Sequence, residues 1–295
     1  MRFILNTDNR KGLAAIFLGT ILAGAVAPIT KIGLSEIPPL SFVFFRFFLA
    51  TLVILPFILK KISYKEIIQL IPLSLFASIN IILFVLGIKT TTATIGQLLY
   101  GGVPLLTGVI LFLLFKERLS FMKSIGIIVG FIGVAGVILL PVIEKGKPFS
   151  GDIVGNLLIG LAVISWSFYM VFSKKAQKTH SPLMITAVFI ITTTIISFFL
   201  FILDIRSYSN LWQNIGSSGM ISIIYVSIAT VGSYMLNQYA IKHGGSVFAS
   251  MGFYLVPIFT YFSSFLLLGE KLTAGLITGG VLVILGIYIF TKKSN

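Results

Sequence analysis

Cysteine is absent and acidic side chains nearly so: the 295 residues include eight Asp or Glu, against 22 Lys or Arg and two His. Without cysteine there are no disulfides, thiolate metal ligands or thiol nucleophiles, and the redox compartment leaves no trace. Charged residues make up 10% of the chain, whereas a soluble domain carries about 25%. So little charge does not cover a water-facing surface. Apolar residues fill the gap, at 57% of the chain and a mean hydropathy of +1.07. The sequence therefore reads as an integral membrane protein. A net charge of +14 would point to nucleic acid in a soluble chain, but here the basic residues sit in short breaks between apolar runs. That is a topology signal, and no nucleic-acid partner is expected.

A bilayer core about 30 Å thick takes roughly 20 apolar residues per helix. Ten such runs can be read, near 12–34, 40–59, 67–88, 93–115, 121–141, 152–173, 183–203, 217–241, 246–268 and 273–291. They are too long and too continuously apolar for barrel strands, so the expected fold is an all-α membrane bundle of ten transmembrane helices. Ala25-Val26-Ala27 imitates a secretory cleavage site, but the apolar run is longer than a signal core and nine more follow, so a retained first span is expected. With a cytoplasmic N-terminus, six basic residues (Lys31, Lys89, Lys145, Lys147, Arg206, Lys271) face outward, Arg46 falls inside a span, and the other fifteen face the cytoplasm. This bias predicts a multi-pass protein of the cell (inner or plasma) membrane with both termini cytoplasmic.

An internal repeat is visible. Sliding the sequence by 153 residues lays 88–134 on 241–287, matching Lys89 with Lys242, Pro104 with Pro257, Thr107 with Thr260, Glu117 with Glu270, Gly126 with Gly279 and Gly133 with Gly286. An offset of 143 pairs Gly12 with Gly155, Lys31 with Lys174 and Pro39 with Pro182, which predicts a ten-residue insertion in the polar stretch 204–218. Two repeats of five helices, 12–141 and 152–291, follow, and an odd number of spans in each makes them inverted. Inverted repeats are a recurrent plan of secondary transporters, with the site at the midplane where the halves meet.

With these features the chain resembles the EamA-type members of the drug/metabolite transporter superfamily. The resemblance rests on the two five-span halves, the prolines of the fourth and ninth spans, and the turns Lys116-Glu117-Arg118-Leu119-Ser120 and Glu270-Lys271-Leu272-Thr273. Phe45-Arg46-Phe47-Phe48 and the glycine-rich fifth and tenth spans add to it. One departure is Ala23-Gly24 where many relatives carry an aromatic residue before the small one; the second half keeps Trp166-Ser167. The resemblance implies a ten-helix carrier with a central cavity, often an exporter of amino acids or other small metabolites.

Polar groups at membrane depth are costly unless they face a cavity or one another. The fourth span puts Ala93, Gln97, Tyr100, Pro104 and Thr107 on one helical face, and the ninth does the same for Ser246, Ser250, Tyr254, Pro257 and Tyr261. Either these faces line a pathway, with Pro104 and Pro257 bending the helices, or they are interhelical hydrogen-bond glue. Asn80, Trp166, Tyr234 and Asn237 complete the expected substrate-binding set, while Tyr169, Tyr208, Tyr239 and Tyr288, nearer span ends, are expected as interface anchors. Arg46 holds an anionic substrate group or has a structural role, by snorkelling or bonding exposed carbonyls. Glu117 and Glu270 are expected in locally paired turns. No Asp, Glu or His lies mid-span, so the parts of a proton relay are missing. G-x-S-x-G, H-E-x-x-H and P-loop motifs are also lacking, and no catalytic residue, metal or cofactor is expected. The reading is a secondary transporter of small neutral or zwitterionic metabolites, amino acids favoured and outward in direction. Its alternatives are a carrier of anionic metabolites using Arg46 and a non-transporting receptor or scaffold. Its partners are a small-molecule substrate and the lipid bilayer, and it is a monomer or weak homodimer.

Overall fold

A computed structural model describes residues 7–61, 63–90, 93–144, 153–207, 215–268 and 274–291. Among them every regular element is helical: α1 (Thr7–Gly24), α2 (Val26–Leu34), α3 (Pro39–Ile58), α4 (Tyr64–Thr90), α5 (Ala93–Tyr100), α6 (Val103–Phe115), α7 (Phe121–Glu144), α8 (Ile153–Ala176), α9 (Pro182–Ser207), α10 (Ser217–Gly244), α11 (Ser246–Ser250), α12 (Gly252–Leu268) and α13 (Ala274–Thr291). Eight helical stretches are long and apolar enough to cross a membrane, and α7 and α13 supply two shorter apolar ones, Phe121–Gly136 and Ile277–Thr291. Phe57, Leu113, Leu157, Phe199, Ile221 and Ile284 are among many large apolar side chains exposed on the outside. Ser74, Ser78, Thr193, Ser227 and Thr230 are buried within. Lipid, rather than water, suits that exterior.

Three of the expected spans are broken, and in the first and fourth a proline gives the reason. Proline lacks the N–H that would bond the carbonyl four residues back, and its ring crowds that carbonyl. The first span breaks between α1 and α2 at Ala25, next to Gly24, which is four residues before Pro28. The fourth breaks at Gly101–Gly102, directly after Tyr100, with Pro104 in the first turn of the restarted helix. In the ninth, α11 ends at Ser250, Met251 lies between the helices, and α12 runs on from Gly252 through Pro257. The expected insertion is partly helical, since α9 runs on to Ser207; residues 208–214 lie outside the described residues, as does the Glu270-Lys271-Leu272-Thr273 turn.

Helix starts recur at the sequence offsets. Pro39 and Pro182 open α3 and α9, 143 residues apart, while Tyr64 and Ser217, Ala93 and Ser246, and Phe121 and Ala274 open pairs 153 apart. The packing repeats too. α3 lies on α9, where the Thr51 and Thr194 hydroxyls, themselves 143 residues apart, share a 2.8 Å hydrogen bond. α4 packs antiparallel on α8, and α1 likewise on α10. α7 and α13 are joined backbone to backbone: a β-carbon at Gly126 would sit 2.8 Å from the Gly286 oxygen, and one at Gly133 would sit 2.8 Å from the Gly279 oxygen. Close approach of this kind needs glycine, and it replaces the hydrophobic effect as the source of helix association in lipid.

Candidate binding site

The broken helices bring aromatic rings to the centre. Tyr100 closes α5, and Phe253, 153 residues on, stands four residues before Pro257 as Tyr100 does before Pro104; their rings meet at 5.8 Å. Each thus carries a carbonyl that the proline following it leaves without a helical donor. Trp166 of α8 lies 5.6 Å from Tyr234 of α10, 6.2 Å from Phe253 and 4.9 Å from Tyr169. Phe189 of α9 closes the group, 5.0 Å from Tyr234. Asn80 of α4 holds one wall in place, donating to the Tyr100 hydroxyl at 2.6 Å and to the Ala162 carbonyl of α8 at 2.7 Å. It is interhelical glue that also fixes a cage residue.

Arg46 enters this cage from α3, about 10 Å along the helix from Pro39 at 1.5 Å per residue. Its Nε donates to Thr230 Oγ1 at 2.7 Å, and its guanidinium lies beside the Tyr234 and Tyr100 hydroxyls. The side chain therefore turns into the bundle and does not snorkel. Arg46, Tyr100 and Tyr234 lie deep among the helices yet keep accessible surface, as groups bordering an internal space do. Among the described residues no carboxylate forms an ion pair with Arg46; the carboxylates that meet a basic side chain are Glu66 with His180 and Asp8 with His243, both at helix ends. Among the buried polar atoms of the described residues that have no hydrogen-bond partner are the Trp166 Nε1 donor and the Asn237 Oδ1 acceptor.

The structure thus gathers Arg46, Asn80, Tyr100, Trp166 and Tyr234. Gln97 is half-buried one turn before Tyr100, and Asn237 lies one turn beyond Tyr234. Ser250 and Tyr254 are fully buried elsewhere: the Ser250 hydroxyl donates to the Val247 carbonyl at 2.7 Å, and Tyr254 donates to the Ile127 carbonyl of α7 at 2.9 Å. The Tyr254 ring fills the space a side chain at Gly130 would need, so its polar atom joins α12 to α7. Glu117 is exposed in the turn after α6, and Glu270 falls outside the described residues.

Tyr169 departs from its expected role as an interface anchor. It is 1% exposed, and its hydroxyl accepts from Gln238 at 2.8 Å. The ring turns inward against Trp166 rather than outward to headgroups. Thr230, Phe189 and Phe253 are cage residues that spacing alone did not single out; Thr230 carried a signal, one turn before Tyr234 on the same face.

Two contacts at opposite ends of the bundle link segments distant in sequence. Glu36, between α2 and α3, accepts from the Gly216 and Gly219 amides at 3.0 and 2.9 Å and from the Ser218 hydroxyl, covering the N-terminus of α10. Chiefly because of the Ser218 hydroxyl, its carboxyl is held below the usual glutamate range. At the opposite end, His180, between α8 and α9, sits 3.6 Å from Glu66 in the first turn of α4. Glu66 also closes a reciprocal cap with Ser63. Lys174 caps the far end of α10 through the Ile241 and Lys242 carbonyls at 3.2 and 3.0 Å, so both ends of that helix meet charge of the favourable sign.

Comparison with known proteins fits this architecture. An uncharacterized transporter of Bacillus subtilis, YyaM, is 30% identical over 277 residues, covering 91% of this chain and 89% of its own. A second from the same organism, YvbV, is 27% identical over 97% of this chain and 93% of its own. A WAT1-related protein of Arabidopsis thaliana is 26% identical over 74% of this chain and 66% of its own. A solved crystal structure superposes with a TM-score of 0.78 over 96% of this chain and 98% of its own, at 17% identity, which speaks to fold alone. The model of the EamA-like transporter family matches twice, at residues 10–139 and 153–292, and with nearly the whole length accounted for, this multi-pass membrane protein belongs to that family.

Proposed function

We propose that this membrane transporter is a secondary carrier, moving a small carboxylate-bearing metabolite by alternating access through the Arg46 cage, amino acids and other organic acids being the candidate class. The observation that carries the reading is Arg46, a cation facing an aromatic-walled internal space with no carboxylate paired to it among the described residues. Such a charge is costly at membrane depth unless something of opposite sign visits it. Residues 12–141 and 152–291 act as two inverted halves, a reading supported by the recurring helix starts, the Thr51–Thr194 bond and the Tyr100–Phe253 pair. Both termini face the cytoplasm of the cell membrane. That orientation puts the Glu36 contact at the external end and the His180–Glu66 contact at the cytoplasmic end, where each closes one mouth.

Purified protein in liposomes tests this. Saturable uptake with counterflow of a preloaded unlabelled substrate is expected, and binding without flux would favour the receptor or scaffold reading instead. With no carboxylate or histidine mid-span, collapsing a pH gradient is expected to leave flux unchanged. Strong proton dependence would refute that part of the account.

A further inference from the structure

We infer that the species the cage prefers is a monoanion, a carboxylate with an apolar body and no ammonium group; this rests on the carrier reading and specifies its substrate. Of the eight acidic residues, none lies mid-span, and Glu36, Glu66 and Asp8 are engaged at helix ends. Arg46 is therefore the one formal charge facing the cage among the described residues, and its neighbours Thr230, Tyr100 and Tyr234 are neutral. A carboxylate there forms charge-assisted hydrogen bonds with the guanidinium, and the unpartnered Trp166 Nε1 supplies a further donor at the same wall. The surrounding side chains are rings: Trp166, Phe189, Tyr234 and Phe253 touch one another around the guanidinium's neighbours, an apolar setting suited to a hydrocarbon body.

A zwitterion fits less well. Its ammonium would sit a few ångströms from the Arg46 guanidinium, in a cage with no carboxylate to receive it. The Asn237 carbonyl oxygen and the aromatic faces are neutral and offset only part of the desolvation of a cation. A neutral amide isostere avoids the repulsion but loses the ion pair. The carboxylate alone brings the cage to net zero.

Matched skeletons isolate the charge. In a Trp212→Phe background, Trp166 is the single tryptophan, and its fluorescence reports occupancy of the cage. At constant ionic strength the protein is titrated with 3-phenylpropionate, 3-phenylpropanamide and phenylalanine, then with 4-methylpentanoate, 4-methylpentanamide and leucine. Within each set the acid is expected to bind about tenfold tighter or better than the amide and the amino acid, the usual scale of a lost charge-assisted contact. Arg46→Gln is expected to erase the difference between acid and amide, and Arg46→Lys to retain part of it. If phenylalanine or leucine binds as tightly as its acid, or if neither acid binds saturably, the inference is overturned whatever the variants do. Flux is scored separately in liposomes: acid binding without counterflow would sink the carrier reading and leave the anion site standing. Amino-acid flux indifferent to Arg46→Gln would do the reverse.

Discussion

Glu36 shows how one side chain closes an end of the bundle. Two backbone amides and a hydroxyl converge on its carboxylate, and the α10 dipole adds to their pull. Each favours the charged form, so the folded-state pKa lies below the unfolded one. The stabilisation is therefore present above the ordinary glutamate range, near about pH 4.3, and disappears as pH falls through the lowered value. Glu36→Ala is expected to lower the unfolding midpoint at pH 7, and the gap from the native protein is expected to persist at pH 5 and shrink only under stronger acid. A gap that vanished between pH 7 and pH 5 would show that the carboxylate is not what holds α10. Sequence pattern gave no warning of this contact, because Glu36 and Gly216 are 180 residues apart and each belongs to an unremarkable loop. Arg46 was visible as a mid-span cation, but its direction was not. Thr230 and Tyr234, which decide that direction, lie on a helix about 185 positions away.

At the scale of elements, the glycine stripes carry the clearest agreement between sequence and structure. Gly126, Gly130 and Gly133 of the glycine-rich fifth span line the α7–α13 contact, where a β-carbon at Gly133 would lie 2.6 Å from the Val283 nitrogen. Backbone does not yield as a flexible side chain does, so Gly133→Ala must part the helices. A loss of about 1–3 kcal/mol is expected, as for other overpacked sites, read as a lowered unfolding midpoint in detergent. Gly160→Ala, where nothing lies within 4 Å, is the control and is expected to cost nothing. Equal losses in both would mean that the glycines matter for helix flexibility rather than approach. Helix faces were harder to read. A soluble helix betrays its buried side by the contrast between polar and apolar residues, whereas in lipid both sides are apolar and the contrast fades. Tyr169 and Tyr254 show this: spacing alone does not reveal that the Tyr169 hydroxyl meets Gln238 inside the bundle or that the Tyr254 hydroxyl reaches Ile127. The break at Ala25 has a local cause: Pro28 lacks the N–H that would bond the Gly24 carbonyl.

Across the whole molecule, the scarcity of charge has a consistent architecture. Among the described residues acidic groups lie at helix ends, where Glu36 and Glu66 tie distant segments together, while the interior holds hydroxyls, amides, rings and a single guanidinium. An interior of this kind forms a site only if it opens to water, and an alternating carrier must open it to each side in turn. Because the native chain has no cysteine, one engineered thiol reports this without background. Tyr234→Cys places the thiol beside Arg46, Trp166 and Phe189. In oriented vesicles a membrane-impermeant maleimide is expected to label it when applied from either side, and 3-phenylpropionate is expected to protect it. Labelling from one side only, or from neither, would contradict the claim that this cage is the alternating-access site.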